Sequence, residues 1–241
     1  FPLLPFRHNK KLMPLVIEPL KKADQVIAVS RKLQAELLRY EIKSSVVPNL
    51  IDEDYFTATS QKKHQNFIFF SLGDITEEKG FEDLLQAAAL VLKKERNIQF
   101  RIGGKGKFLR KYQRMAVDLR IKEHITWLGH LSQKKVLKEL HQCNAFILPS
   151  YHESFGMVFL EALASGRPVI ATACGGPEDF VREDNGLLVE VGNVKMISQA
   201  MIKMKENIDH YNFRKIRQDI LKKYSSKVVA QKLIKLYRSI L

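Results

Sequence analysis

Only two cysteines, Cys143 and Cys174, occur in 241 residues, with neither the density of a disulfide framework nor the spacing of metal ligands. Both are expected to be small buried residues in a reducing compartment. No apolar run approaches the roughly 18 residues that cross a bilayer. The opening Phe1-Pro2-Leu3-Leu4-Pro5-Phe6-Arg7 lacks the form of a signal peptide. It also lacks an initiator methionine, so a piece of a longer chain is expected. There is no His-Glu-x-x-His, no zinc-type Cys/His set, no Gly-x-Ser-x-Gly element and no internal repeat or low-complexity tract. Acidic residues are scarce too: 26 stand against 40 lysines and arginines, a formal charge of +14. Such a field favours polyanions, whether nucleic acid, an anionic bilayer or phosphorylated substrates. The cations are spread in doublets such as Lys21-Lys22, Lys134-Lys135 and Lys222-Lys223, which reads as solvated helix faces.

With 45% hydrophobic residues, the chain can bury one good core and part of a second. Residues 1–20 hold four of the eight prolines and show no clean period. Asp24–Ser30 reads as a buried strand, and Arg31–Tyr40 as an amphipathic helix with Leu33, Leu37 and Leu38 inward. A second short strand follows at Ser45–Asn49. Thr57–Asn66 is polar and aperiodic, the linker into a main domain. From there strands (67–72, 98–102, 124–128) alternate with helices (81–94, 108–117, 134–142). That alternation predicts an α/β fold with a doubly wound, mostly parallel sheet, whose ligands sit at the strands' carboxyl ends. Helices are also expected at 194–207, 211–224 and 226–241, the last with Val229, Leu233, Leu236, Tyr237 and Ile240 on one face.

The chemistry concentrates in PSYHESFGMVFLEALASGRPVIATACGGP, residues 149–177. Strands at 145–148 and 169–172 flank a helix capped by Ser154 and stopped at Ser165-Gly166-Arg167-Pro168. The N–H groups near Gly156, Met157 and Val158 can receive an anion there. Glu153 and Glu161 lie eight residues apart, roughly 12 Å along a helix axis at about 1.5 Å per residue. Glu161, two turns in, could accept two hydrogen bonds from a ribose diol, and Glu153 stands at the mouth.

E-S-F-G-M-V-F-L-E resembles the E-x7-E signature of retaining nucleotide-sugar glycosyltransferases of family four, with a GT-B fold. Gly175-Gly176-Pro177-Glu178 and Asn185-Gly186-Leu187-Leu188-Val189 resemble that family's next two motifs, in the same order. Gly73-Asp74-Ile75-Thr76-Glu77-Glu78-Lys79-Gly80 resembles its G-R-L-x-x-x-K-G loop, whose arginine and lysine hold the diphosphate. Lys79 matches, but Asp74 stands where the arginine does, so either the loop turns Asp74 away or another cation substitutes. Gly103-Gly104-Lys105-Gly106 is similar to the family's G-x-G turn, and Gly129-His130-Leu131 to the loop whose backbone faces the base.

The resemblance implies retaining sugar transfer from a nucleoside diphosphate sugar to an acceptor sugar or lipid-linked glycan, with no cofactor and no obligatory metal. It places Glu153 and Lys79 in catalysis. Donor contacts fall to Gly73, Lys79, Gly104, His130, Leu131, Ser154, Phe155, Gly156, Met157, Val158, Glu161, Gly175 and Gly176. Residues 1–60 are then the remnant of an N-terminal domain with its linker, a partial second domain. Residues 61–224 are the Rossmann-like donor domain, and 225–241 a helix crossing back. A cytoplasmic protein, peripheral to the inner face of an anionic membrane and without nucleic acid as partner, is the matching expectation. Two alternatives stay open: a non-transferase relative on the same fold, an epimerase or phosphorylase, and a basic polyanion-binding module.

Overall fold

A computed structural model of the protein describes residues 13–59 and 65–240. The expectations for residues 1–12 and for the middle of the linker lie outside these. The chain opens with helix α1 (Met13–Lys22), strand β1 (Ile27–Ala28), helix α2 (Arg31–Leu38) and strand β2 (Ser45–Val46), with β1 and β2 paired in parallel. The strand expected over 24–30 shrinks to two residues because only Ile27 and Ala28 find register with β2. Leu37 is buried, but Leu38 is exposed rather than inward. Ile17, Val26, Ala28, Leu37 and Ile42 form a small core of their own.

Strands β3 (Phe67–Leu72), β4 (Ile98–Gly103), β5 (Ile125–Gly129), β6 (Ala145–Leu148), β7 (Val169–Thr172) and β8 (Gly186–Val189) build one parallel sheet in the order β5-β4-β3-β6-β7-β8. Strands β6 and β7 are apolar or small at every position and buried on both faces, as a helix-covered parallel sheet requires. Helices α3 (Phe81–Leu92), α4 (Leu109–Asp118), α5 (Gln133–Gln142), α6 (Met157–Ala164), α7 (Val194–Glu206) and α8 (Phe213–Tyr224) join or flank them. Phe146 and Phe159 meet edge to face at 5.4 Å and fix α6 against the sheet.

Strand order reverses between β3 and β6, where Phe69 pairs with Ala145 and Phe70 with Phe146. A doubly wound sheet opens its ligand crevice at such a switch point, beyond the strands' carboxyl ends. The loop after β3 therefore faces the loop after β6.

The segment just ahead of the linker is laced to the far end of the domain. Ile51 N–H donates to the Tyr224 carbonyl at 2.9 Å, and Glu53 accepts from Ser226 N–H and Oγ–H at 3.0 and 2.8 Å. Helix α9 (Ser226–Arg238) buries Val229, while Tyr237, and Ile240 beyond the helix end, stand exposed. Among the described residues no helix is long and apolar enough to cross a membrane.

Candidate functional site

The loop after β3 carries Lys79 into the crevice. Its stem lies over Gly73, where an added Cβ would meet Lys79 Cγ at 3.6 Å. Lys79 Nζ donates to Glu153 Oε1 at 2.7 Å, and Ser150 Oγ donates to the same oxygen at 3.0 Å. This is a part-buried pair, with Glu153 the more enclosed partner. The two loops are joined through the main chain as well, Tyr151 N–H to the Glu78 carbonyl at 2.8 Å. Asp74 is turned away: Ile75 beside it is fully buried, held by its N–H to the Lys105 carbonyl at 2.9 Å, which leaves Asp74 exposed.

Glu153 is placed by glycines. It pairs with Gly175 as an isolated parallel bridge, and Gly176 N–H donates to its carbonyl at 2.7 Å. Gly175 sits at φ +138, and a Cβ there would lie 2.3 Å from the Glu153 carbonyl oxygen. Only glycine fits that approach. Gly175→Ala is therefore expected to push the Glu153 segment off its seat and weaken ligand binding at least about tenfold, with the sheet intact by circular dichroism. Unchanged affinity would show that the bridge does not position the site.

Two corrections concern the helix. Ser154 does not cap it: Gly156, at φ +90, is the N-cap residue, and Met157 is the first helical position. The left-handed turn ends the loop there, so the helical estimate of the Glu153–Glu161 separation does not apply. Glu161 is the fifth residue of α6, little more than one turn in. The leading N–H groups, at Met157 and Val158, have no partner within the helix, as at any helix start.

Glu161 is the unusual group. It is part-buried, has no hydrogen bond or ion pair among the described residues, and burial pushes its carboxyl up to about 7. The other expected contacts surround this crevice unevenly. Gly104 touches the Gly73 carbonyl so closely that a Cβ would lie 1.9 Å from it, and its N–H donates to the Gly129 carbonyl at 2.7 Å. Leu131 packs over Gly103, while His130 points to solvent. Phe155 is buried against Phe180 and Tyr224, a packing residue rather than an exposed contact. Cys143 is buried as expected and its thiol is pushed up to about 12, whereas Cys174 is only part-buried on the lining of the neighbouring cleft, its thiol pushed up to about 11 by burial.

A cleft of about 400 Å³ lies between α2 and the two loops, lined by Ser30, Lys32, Arg39, Glu153, Ser154 and Gly175 among others. It takes in Glu153 but neither Lys79 nor Glu161, so it marks the mouth of the crevice rather than all of it. Ser30 was missed as a site residue. Its Oγ donates to the Ser154 carbonyl at 2.7 Å and accepts from Leu33 N–H at 3.3 Å, so one side chain both caps α2 and docks the N-terminal segment on the loop. A serine opening a helix was the visible signal; the docking depends on tertiary structure. Ser150, also missed, has its carbonyl held by Thr172 Oγ1.

These features define a doubly wound α/β domain with a crevice at its switch point. The chain belongs to a family: the model described as "Glycosyl transferases group 1" matches residues 52–223. It is 30% identical over 227 residues, 88% of this chain and 59% of the relative, to N-acetyl-alpha-D-glucosaminyl L-malate synthase of Bacillus anthracis. It is 31% identical over 176 residues, 70% and 44%, to 2-deoxystreptamine N-acetyl-D-glucosaminyltransferase of Niallia circulans. The chain spans about half the length of the curated relatives it matches. Among solved structures, a TarM mutant of S. aureus with Fondaparinux, alpha-GlcNAc-glycerol and UDP superposes with TM-score 0.82 at 24% identity, over 95% of this chain and 46% of that one. Anabaena Alr3699/HepE with UDP and glucose superposes with TM-score 0.85 at 17% identity, over 98% and 69%. The fold is that of GT-B glycosyltransferases.

Proposed function

We propose that this crevice binds a nucleoside diphosphate sugar and that the protein containing it transfers the sugar, with retention, to an acceptor entering from the cleft. The observation that carries the reading is Glu161, a part-buried carboxylate with no protein donor among the described residues, one turn behind free helix N–H groups. Vicinal ribose hydroxyls are the donors that suit it. UDP in two structural neighbours, and N-acetylglucosaminyl transfer in two relatives, support a uridine donor.

Lys79 then exchanges partners. Without ligand it neutralises Glu153; with a diphosphate beside it, the ammonium turns to phosphate oxygens and frees Glu153 to hold sugar hydroxyls. The leaving diphosphate is stabilised by Lys79, the start of α6 and the Gly175-Gly176 amides, as preorganised electrostatics that need no rearrangement in the transition state. We assign no protein general base, since the leaving phosphate can take the acceptor's proton.

Lys79→Ala is expected to weaken UDP binding about tenfold or more and uridine binding little, because the ammonium answers charge and not base or ribose. Equal losses for the two, measured by calorimetry, would remove Lys79 from the diphosphate. The same titration in EDTA is expected to give unchanged affinity, and a strict metal requirement would contradict a lysine-based site. An epimerase relative is separated by product: transferred sugar supports our reading, and epimerised donor opposes it.

A further inference from the structure

The first turn of α2 bonds to the site at two places. Ser30, with no exposed surface, donates Oγ–H to the Ser154 carbonyl at 2.7 Å, and the next residue, Arg31, donates its main-chain N–H to Asp179 Oδ2 at 2.8 Å. Lys32 Nζ lies 3.8 Å from Glu178 Oε1 beside them. Arg31 is the first helical residue, so its N–H has no acceptor within the helix, and a carboxylate there also answers the positive end of the helix dipole. The Ser30 side chain is already taken by Leu33 N–H, which leaves Arg31 to Asp179. Ser154 follows Glu153, and Asp179 ends the single turn Gly176–Asp179 that follows Gly175. Gly176 N–H and the Gly175 bridge hold those two loops together at Glu153. Ser30 and Arg31, adjacent in the chain, tie them a second time, so α2 completes a bonded ring that contains Glu153.

We propose that Asp179 is a positioning residue: by accepting Arg31 N–H it clamps α2 across both loops and fixes Glu153 at the sugar end of the crevice. This rests on the nucleotide-sugar reading above. Asp179 acts through α2 and not on the ligand. The N-terminal segment has a small apolar core of its own, so the bonds at the start of α2 set where it sits on the loops. Among the described residues, Glu161 and the leading N–H groups of α6 bond to neither α2 nor Asp179, so a loosened clamp weakens the hold on the sugar more than on the nucleotide. Two thiols report on the clamp. Cys174, part-buried next to Gly175, lines the cleft with Ser30, Lys32 and Leu33, whereas Cys143 is buried in the main core. Release of α2 uncovers Cys174, while only global unfolding uncovers Cys143.

The test makes two measurements on the whole chain, in wild type, Asp179→Ala, Asp179→Asn and Ser30→Ala. The first is modification by N-ethylmaleimide, located by peptide mass spectrometry. Cys174 is expected to react at least about threefold faster in both alanine variants, the fold-change of one modest hydrogen bond, with Cys143 equally slow in all. Asp179→Asn should stay near wild type, because its amide oxygen still accepts Arg31 N–H. The second is calorimetry of UDP-glucose and GDP-mannose against UDP and GDP. The ratio of nucleotide-sugar to nucleotide affinity should fall at least about threefold in the alanine variants and be restored in Asp179→Asn. Should Ser30→Ala expose Cys143 as well, the two Asp179 variants decide. Cys174 indifferent to Asp179→Ala, or a faster Cys174 with an unchanged affinity ratio, would overturn the proposal. A wild-type protein that binds neither nucleotide while Cys174 responds would strike the nucleotide reading, and the role at the sugar end with it.

Discussion

Glu161→Gln is expected to make the ligand-free protein more stable at neutral and alkaline pH while weakening nucleoside diphosphate binding about ten- to a hundredfold, the value of one or two charged hydrogen bonds. Opposite effects on stability and binding follow from one cause. Burial raises the Glu161 carboxyl from 4.5 to about 7. Below pH 4.5 the group is protonated in both folded and unfolded chains and contributes no difference. Between those values the folded state holds a proton that the unfolded state has released, so stability falls as pH rises and levels off above about pH 7. The full loss is at most about 3 kcal/mol, reduced by whatever water reaches the part-exposed carboxylate. Glutamine carries no charge to bury, so the variant's melting temperature should exceed the wild type's increasingly between pH 5 and 8. Ribose hydroxyls donate to the carboxylate, so wild-type affinity should strengthen with pH through about 7, and the variant's should not. Parallel pH–stability curves for the two proteins would show that Glu161 is solvated.

Arg167→Met should be the most destabilising single substitution outside the apolar core. Arg167 has no exposed surface; its Nε donates to the Leu140 carbonyl at 2.6 Å, and Nη2 to the Thr59 carbonyl and hydroxyl at 3.1 and 2.9 Å. Among the described residues no carboxylate answers it and Nη1 is unpartnered, and burial lowers its pKa. The guanidinium serves as a neutral-partner hub that ties the end of α5 to the linker. Methionine fills much of the volume but leaves the Leu140 and Thr59 carbonyls without donors, a cost of about 2–4 kcal/mol. For a chain of this size that lowers the melting temperature by roughly 5–15 °C. Nucleotide affinity at low temperature should be retained, because the guanidinium bonds α5 and the linker and touches neither Glu161 nor the Lys79–Glu153 pair. A melting temperature within about a degree of wild type would mean that the linker carbonyls find other donors.

The fold was legible where one local signal dominated. Strands 67–72, 145–148 and 169–172 match to the residue, since each is a continuous apolar or small-residue run cut off by glycine, proline or a polar turn. β8 was seen only as the stretch Asn185–Val189, its strand character coming from register with β7. The site was legible as a set of loops but not in its internal geometry. Nothing local distinguishes Ser154 from a cap, because the left-handed turn at Gly156 that displaces it is fixed by contact with Phe159 and Pro177. Asp74 looked like an obstacle to a diphosphate; the structure leaves it exposed beside the buried Ile75. Ser30, Ser150 and Arg167 act across separations of 124, 3 and 108 residues, and only Ser150 was within reach of a local pattern. The exposed half of α9 carries a helical apolar stripe that periodicity read correctly and burial did not follow.

The central claim is that the crevice between β3 and β6 is a nucleoside diphosphate site read by Glu161. Calorimetric titration of UDP and GDP into wild-type and Glu161→Gln protein, in EDTA at about pH 8 where Glu161 is ionised, tests it most directly. The account predicts saturable binding of at least one nucleotide at a single site, at least about tenfold weaker in the variant. Failure of both nucleotides to bind, or equal affinity in the two proteins, would contradict it.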